Sequence, residues 1–108
     1  AAGAWADVLG GLAGCVPVGL VPKRRTAFTF ESPPGMDIAK LPMVIDFDET
    51  WYIKPEVGQF LASPADETPS EPCDAQPEEM DVAIAVDRIE TGTTLQIRRI
   101  KNKWAGLR

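Results

Sequence analysis

Histidine is missing from all 108 residues, and only two cysteines and one tyrosine are present. Without an imidazole, nucleophilic catalysis of the Ser-His or Cys-His type has no base, and the commonest metal ligand is gone. Cys15 and Cys73 are far apart and form no CxxC pair, which removes zinc and dithiol chemistry. Two free thiols are expected, a single Cys15–Cys73 bridge being the alternative. No apolar run approaches the ~18 residues of a membrane-spanning helix, and the first residues lack the charged flank of a signal peptide. A soluble, cytoplasmic chain without a membrane partner is expected. Gly10-Gly11 and Gly14 do not make a G-x-G-x-x-G loop and do not follow a strand, so a nucleotide is not held by its usual device. Bases are also scarce, eleven against sixteen acids for a net charge of -5, which repels phosphate backbones and argues against nucleic acid.

What is present suits one folded domain: 44% hydrophobic and 25% charged residues, enough for a core. Ala4 to Ala13 has Trp5, Val8, Leu9 and Leu12 at helical spacing, with Gly14 where a C-terminal cap belongs. Cys15 to Phe30 reads as a bent or edge strand, interrupted by Pro17 and Pro22, with Thr26, Phe28 and Phe30 on one face. Glu31 to Pro42 is a proline-rich loop. Met43 to Phe47, Thr50 to Pro55 and Gln59 to Ala62 form an antiparallel meander in which Trp51 and Ile53 face the core, opposite Tyr52 and Lys54. After an acidic connection, Pro77-Glu78-Glu79 opens a helix that runs to about Glu90, where Thr91-Gly92-Thr93 stops it; Val82, Val86 and Ile89 are its apolar stripe, widened by Ile84 and Ala85. The last strand, near 94 to 104, slips phase after Arg98-Arg99, as a bulge would make it do. The fold class is therefore α+β: an antiparallel sheet with one main helix packed on a face, plus a short N-terminal helix. The uncapped start and the missing polar tail predict a chain cut from within longer elements.

Arg98, Arg99, Lys101, Lys103 and Arg108 have no acid among them, whereas Pro55 to Asp87 holds nine acids and no base. The two segments are expected to be neighbours, a polyanion site on the terminal strand being the weaker alternative. Asp46, Asp48 and Glu49 offer paired carboxylates for a cation or for acid–base work, but acids beside a strand end more often make a solvated turn, and no metal site is assigned. Tyr52 and Arg108 are the better candidates. One is an aromatic hydroxyl on the face opposite Trp51, the other a guanidinium at a strand end, able to clamp a carboxylate through two parallel hydrogen bonds. By spacing alone, each is more simply a surface residue.

Five motifs occur in a suggestive order: Ala-Ala-Gly-Ala-Trp-Ala at 1–6, Pro-Lys-Arg-Arg at 22–25, Trp-Tyr-Ile-Lys-Pro-Glu at 51–56, Ala-Ser-Pro-Ala-Asp-Glu-Thr-Pro at 62–69 and Trp-Ala-Gly-Leu-Arg at 104–108. Over essentially its whole length the chain resembles the middle of the D-amino-acid-oxidase-like FAD-dependent oxidoreductases, the family of glycine oxidase and sarcosine oxidase. The resemblance implies that residues 1–14 are the tail of a flavin-binding region and that residues 15–108 are a substrate domain. It implies oxidation of the C–N bond of a small amino acid or secondary amine by hydride transfer to FAD, for which no catalytic base on the protein is required when the amine arrives neutral. Ala2, Gly3 and Ala4 match a turn passing against the flavin dinucleotide. Tyr52 matches a hydroxyl facing the substrate, and Arg108 an arginine pairing with the substrate carboxylate. The N-terminal glycine-rich loop of the family is absent, so the 108-residue chain is expected to be inactive alone and to need the remainder of the flavoprotein. The rival expectation is a free-standing, catalytically inactive module that self-associates or binds a partner protein through its flat sheet, with Trp5, Trp51 or Trp104 at the contact.

Overall fold

A computed structural model describes residues 2–108; Ala1, the first residue of the N-terminal motif, lies outside them. After a 3-10 turn at Gly3–Trp5 come helix α1 (Ala6–Leu12), strands β1 (Lys23–Glu31), β2 (Val44–Ile45), β3 (Tyr52–Glu56), β4 (Gln59–Ser63) and β5 (Thr68–Pro69), helix α2 (Glu79–Gly92) and strand β6 (Ile100–Leu107). The architecture is α+β, as expected. All pairings are antiparallel, and β1 is central: β6 lies along one edge, and β4 and β5 share the other, with β3 and then β2 beyond β4. Opposite Thr29 and Phe30 stand Asn102 and Ile100, which leaves Lys101 as the extra residue of a bulge. The sequence predicts a bulge at Arg98-Arg99, but these precede the strand; it falls instead inside the run Ile100, Asn102, Trp104, which the spacing predicts to keep phase.

Strict alternation gives the sheet two unlike faces. Phe28, Phe30, Ile53, Phe60 and Ala62 form the buried side, and Val82, Ala85 and Ile89 of α2 pack onto it. Phe30 and Phe60 stand directly opposite in register and stack with ring centroids 5.4 Å apart. Trp51 joins them, and Gly92 of α2 lies so close that an added Cβ would come within 2.9 Å of Trp51 Cζ2. Ionic ties hold the helix start: Arg24 reaches Glu78 and, at 2.8 Å, Asp81, while Lys103 of β6 pairs with Glu79. Burial pulls the Arg24 guanidinium down, but Glu78 and Asp81 outweigh it and raise its pKa above the usual value. Farther along, Arg88 donates to the Thr50 carbonyl at 2.9 Å. Thr93 closes the helix by donating to the Ile89 carbonyl at 2.7 Å.

Four further expectations are corrected. Cys15 to Pro22 is not strand, because the ladders of β1 begin only at Lys23. The last strand begins at Ile100 instead of 94; Leu95 and Ile97 still pack against the core, but in irregular chain whose Ile97 amide is taken by the Glu90 carboxylate at 2.7 Å. Ile84 does not widen the stripe and is 37% exposed. β1 is the central strand and not an edge, since β4 and β6 pair with it on opposite sides; the proline-rich loop is a loop as expected, and its Ile38 is buried against the core.

Candidate functional site

The face opposite α2 holds both predicted substrate residues. Tyr52 opens β3, pointing away from the Trp51 side, and is half-buried. Arg108 directly follows β6; its amide donates to the Lys23 carbonyl at 3.1 Å and its carbonyl accepts from the Lys23 amide at 2.9 Å, so its backbone is as fixed as the ladder. Tyr52 and Arg108 line one groove of about 530 Å³, together with Arg25, Met43, Ile45, Asp48, Glu49, Ala65 and Glu67. A second groove of about 360 Å³ shares Arg25, Tyr52 and Arg108 and continues along the sheet past Lys54, Leu61, Gly106 and Trp104.

The floor of the first groove is built by the loop between β4 and β5. Ser63, fully buried, accepts the Ala65 amide on its hydroxyl at 3.0 Å, and Ala65 takes a left-handed φ of 54°. Asp66 then accepts both the amide and the hydroxyl of Thr26, at 2.7 and 2.9 Å, while its carbonyl accepts from Arg25 Nε at 2.9 Å. So placed, Glu67 receives three cations: Lys23 and Arg108 at 3.0 Å and Arg25 at 3.3 Å. The hydrogen bond from Lys23, then that from Arg108, holds its pKa below the ordinary glutamate value. On sequence alone Lys23, Arg25, Asp66 and Glu67 received no role. The available signal was the basic Lys23-Arg24-Arg25 run matched against Asp66-Glu67, which charge counting over long segments diluted.

The groove is mixed in sign. Arg25 and Arg108 come from β1 and the end of β6, and Asp48 and Glu49 from the turn between β2 and β3. Asp46, the third acid considered for a cation, is committed to that turn: it accepts the Thr50 hydroxyl at 2.6 Å, which lowers its pKa. Among the described residues no cluster of three or more metal-ligating side chains occurs.

Ala2, Gly3 and Ala4 are elsewhere. They lead through the 3-10 turn into α1, line neither groove, and the Gly3 position, at a φ of 54°, has open space where a Cβ would be. The glycine suits this left-handed backbone conformation, and the space beside it is open. Residues 2–4 thus lie apart from the groove that Tyr52 and Arg108 share. No protein-family model matches the chain. No helix among the described residues is long and apolar enough to cross a membrane.

Proposed function

We propose that the chain is a segment of an FAD-dependent oxidoreductase acting on the C–N bond of a small amino acid or secondary amine, and that its own task is to bind the substrate. The observation that carries this is the convergence of Tyr52, Arg25 and Arg108 with Asp48 and Glu49 on one groove. An amino acid is a zwitterion: its carboxylate suits the guanidinium fork and the Tyr52 hydroxyl, and its ammonium suits the carboxylates of the turn. The FAD would be held chiefly by the remainder of the flavoprotein, with residues 2–4 passing against it as the resemblance implies. Exposed, free Cys15 and Cys73 support a reducing, cytoplasmic setting. Titrating the isotope-labelled chain with glycine or sarcosine tests the reading: amide shifts should move at Tyr52, Gly106 and Glu67. Shifts confined to other surfaces, or equal responses to an amine lacking a carboxylate, would sink it.

A second reading, a binding module that self-associates, draws on one observation. Val8, Leu9, Leu12, Val16, Val18 and Val21 of the N-terminal arm are all exposed, as is Trp104 at 43%, while Trp51 is buried. Sedimentation of the chain against concentration tests it, and a monomer throughout would remove it.

A further inference from the structure

We infer that Glu67 is a resident carboxylate of the groove, occupying Arg108 where a ligand carboxylate would bind, so that ligand affinity is set by an exchange of partners on that guanidinium. This rests on the carboxylate-binding reading of the groove and names the residue that tunes it.

Three observations support the exchange. Among the described residues, the side-chain partners of Glu67 are all cations: Lys23 Nζ on Oε2 at 3.0 Å, Arg108 Nη2 on Oε1 at 3.0 Å and Arg25 Nη2 on the same oxygen at 3.3 Å. The three cations are not equally free. Arg25 is 19% exposed and its Nε is tied to the Asp66 carbonyl, whereas the Arg108 side chain is 58% exposed and spends one donor on Glu67. A guanidinium has five N–H donors in a fixed fork, so Arg108 keeps a free edge toward solvent. An incoming carboxylate that takes this edge bidentately meets the negative charge of Glu67 nearby, and it gains its full pairing energy only as Arg108 turns from Glu67. Glu67 does not lose its support when that happens, because Lys23 and Arg25 remain on it. With Asp48 and Glu49 of the same groove, three acids already face Lys23, Arg25 and Arg108, so an added carboxylate is best accommodated by exchanging a partner.

The opposite role, a strut that holds Arg108 ready, predicts the opposite sign, which makes the test direct. Acetate and glycine serve as probes at fixed ionic strength, binding being followed through the Gly106 amide in the unmodified chain, in Glu67→Gln and in Arg108→Lys. Glu67→Gln keeps the shape and an acceptor but removes the charge, and it should tighten acetate binding roughly two- to fivefold, the scale of an exposed ion pair. The gain should vanish in the Glu67→Gln, Arg108→Lys double variant. Glu67→Asp, which draws the carboxylate back by one methylene, should give a smaller gain of the same sign and covers the case in which the amide variant folds poorly. Binding that depends on Arg108 but is unmoved or weakened in Glu67→Gln and Glu67→Asp would overturn the exchange while leaving the groove. Absence of acetate and glycine binding in every protein would overturn the groove itself, and the exchange with it.

Discussion

At the scale of single residues, the groove depends on Arg108 more than on Tyr52. A guanidinium donates two parallel charge-assisted bonds and lysine reproduces only the charge, so if the proposed function holds, Arg108→Lys in the full-length protein should raise KM for an amino acid about tenfold, with little effect on an amine without a carboxylate. Tyr52→Phe removes one neutral hydrogen bond, worth roughly 0.5–1.5 kcal/mol, and should raise KM by a smaller factor. Steady-state kinetics with both substrate types check the pair; equal effects on the two types would contradict the assignment. Asp7 makes a different residue-scale prediction. Its carboxylate accepts the amides of Leu20, Val18 and Gly19 at 2.8, 3.1 and 2.9 Å, and these bonds lower its pKa, Leu20 most. A depressed folded-state pKa means the hook is favoured above the ordinary carboxylate value, near ~3.9, and lost as pH falls through the lower folded value. The amide shifts of Gly19 and Leu20 should therefore hold steady down to about pH 4 and move below it, and Asp7→Asn should remove the transition.

At the scale of elements, two turns and packings can be tested without reference to function. β3 and β4 are joined by Val57-Gly58 between the paired Glu56 and Gln59, with φ of 43° and 76°. Both central residues are left-handed, the geometry that favours Asn-Gly, and an exposed β-branched valine is strained in it. Val57→Asn should stabilise the protein by about 1 kcal/mol, seen as a rise in Tm. Gly92→Ala should do the reverse. The added methyl would press on the buried Trp51 ring, overpacking that costs ~1–3 kcal/mol, against a helix-propensity gain of at most ~1 kcal/mol at the last helical residue. A net loss of about 1 kcal/mol in thermal unfolding, with an altered tryptophan emission, is expected. Such elements were readable from sequence where periodicity acts within one segment. Thr26, Phe28 and Phe30 alternate because one sheet face is core, and α2 declares its stripe at Val82 and Ile89. Features that depend on a distant partner were not readable. The start of β1 is decided by Arg108 and Leu107 across from it, and Ile38 is buried because a loop folds back over the core. Leu95 and Ile97 alternate like a strand, yet Glu90 and Thr93 take the amides that a ladder would have used. The site followed the same rule: alternation placed Tyr52 on the open face, while Glu67 depended on contacts spanning over forty residues.

At the scale of the whole molecule, the chain is longer than its core. Its extents are 57 × 24 × 24 Å and its radius of gyration is 16.6 Å, above the ~13 Å of a compact domain of this length. The excess comes from the N-terminal arm. The chief element contacts of α1 are with the 3-10 turn before it, its hook closes on Asp7 within the arm, and its apolar side chains are exposed, Leu12 by 82% and Val16 by 86%. Hydrophobic side chains that touch little in the folded state contribute little to it, since burial is what stabilises. Removing residues 1–20, and so sparing the buried Pro22 whose carbonyl accepts the Ser70 amide, should cost under about 1 kcal/mol, a change in Tm of only a few degrees. Small-angle scattering should show the radius of gyration falling toward ~13 Å. The same truncation separates the two functional readings. If the arm drives self-association, the intact chain should sediment with a weight that rises with concentration and the shortened chain as a monomer. Both forms should bind glycine alike, because Tyr52, Arg25, Glu67 and Arg108 all lie outside the deleted segment. Loss of glycine binding on truncation would place the arm in the groove's support and contradict the independence of the two.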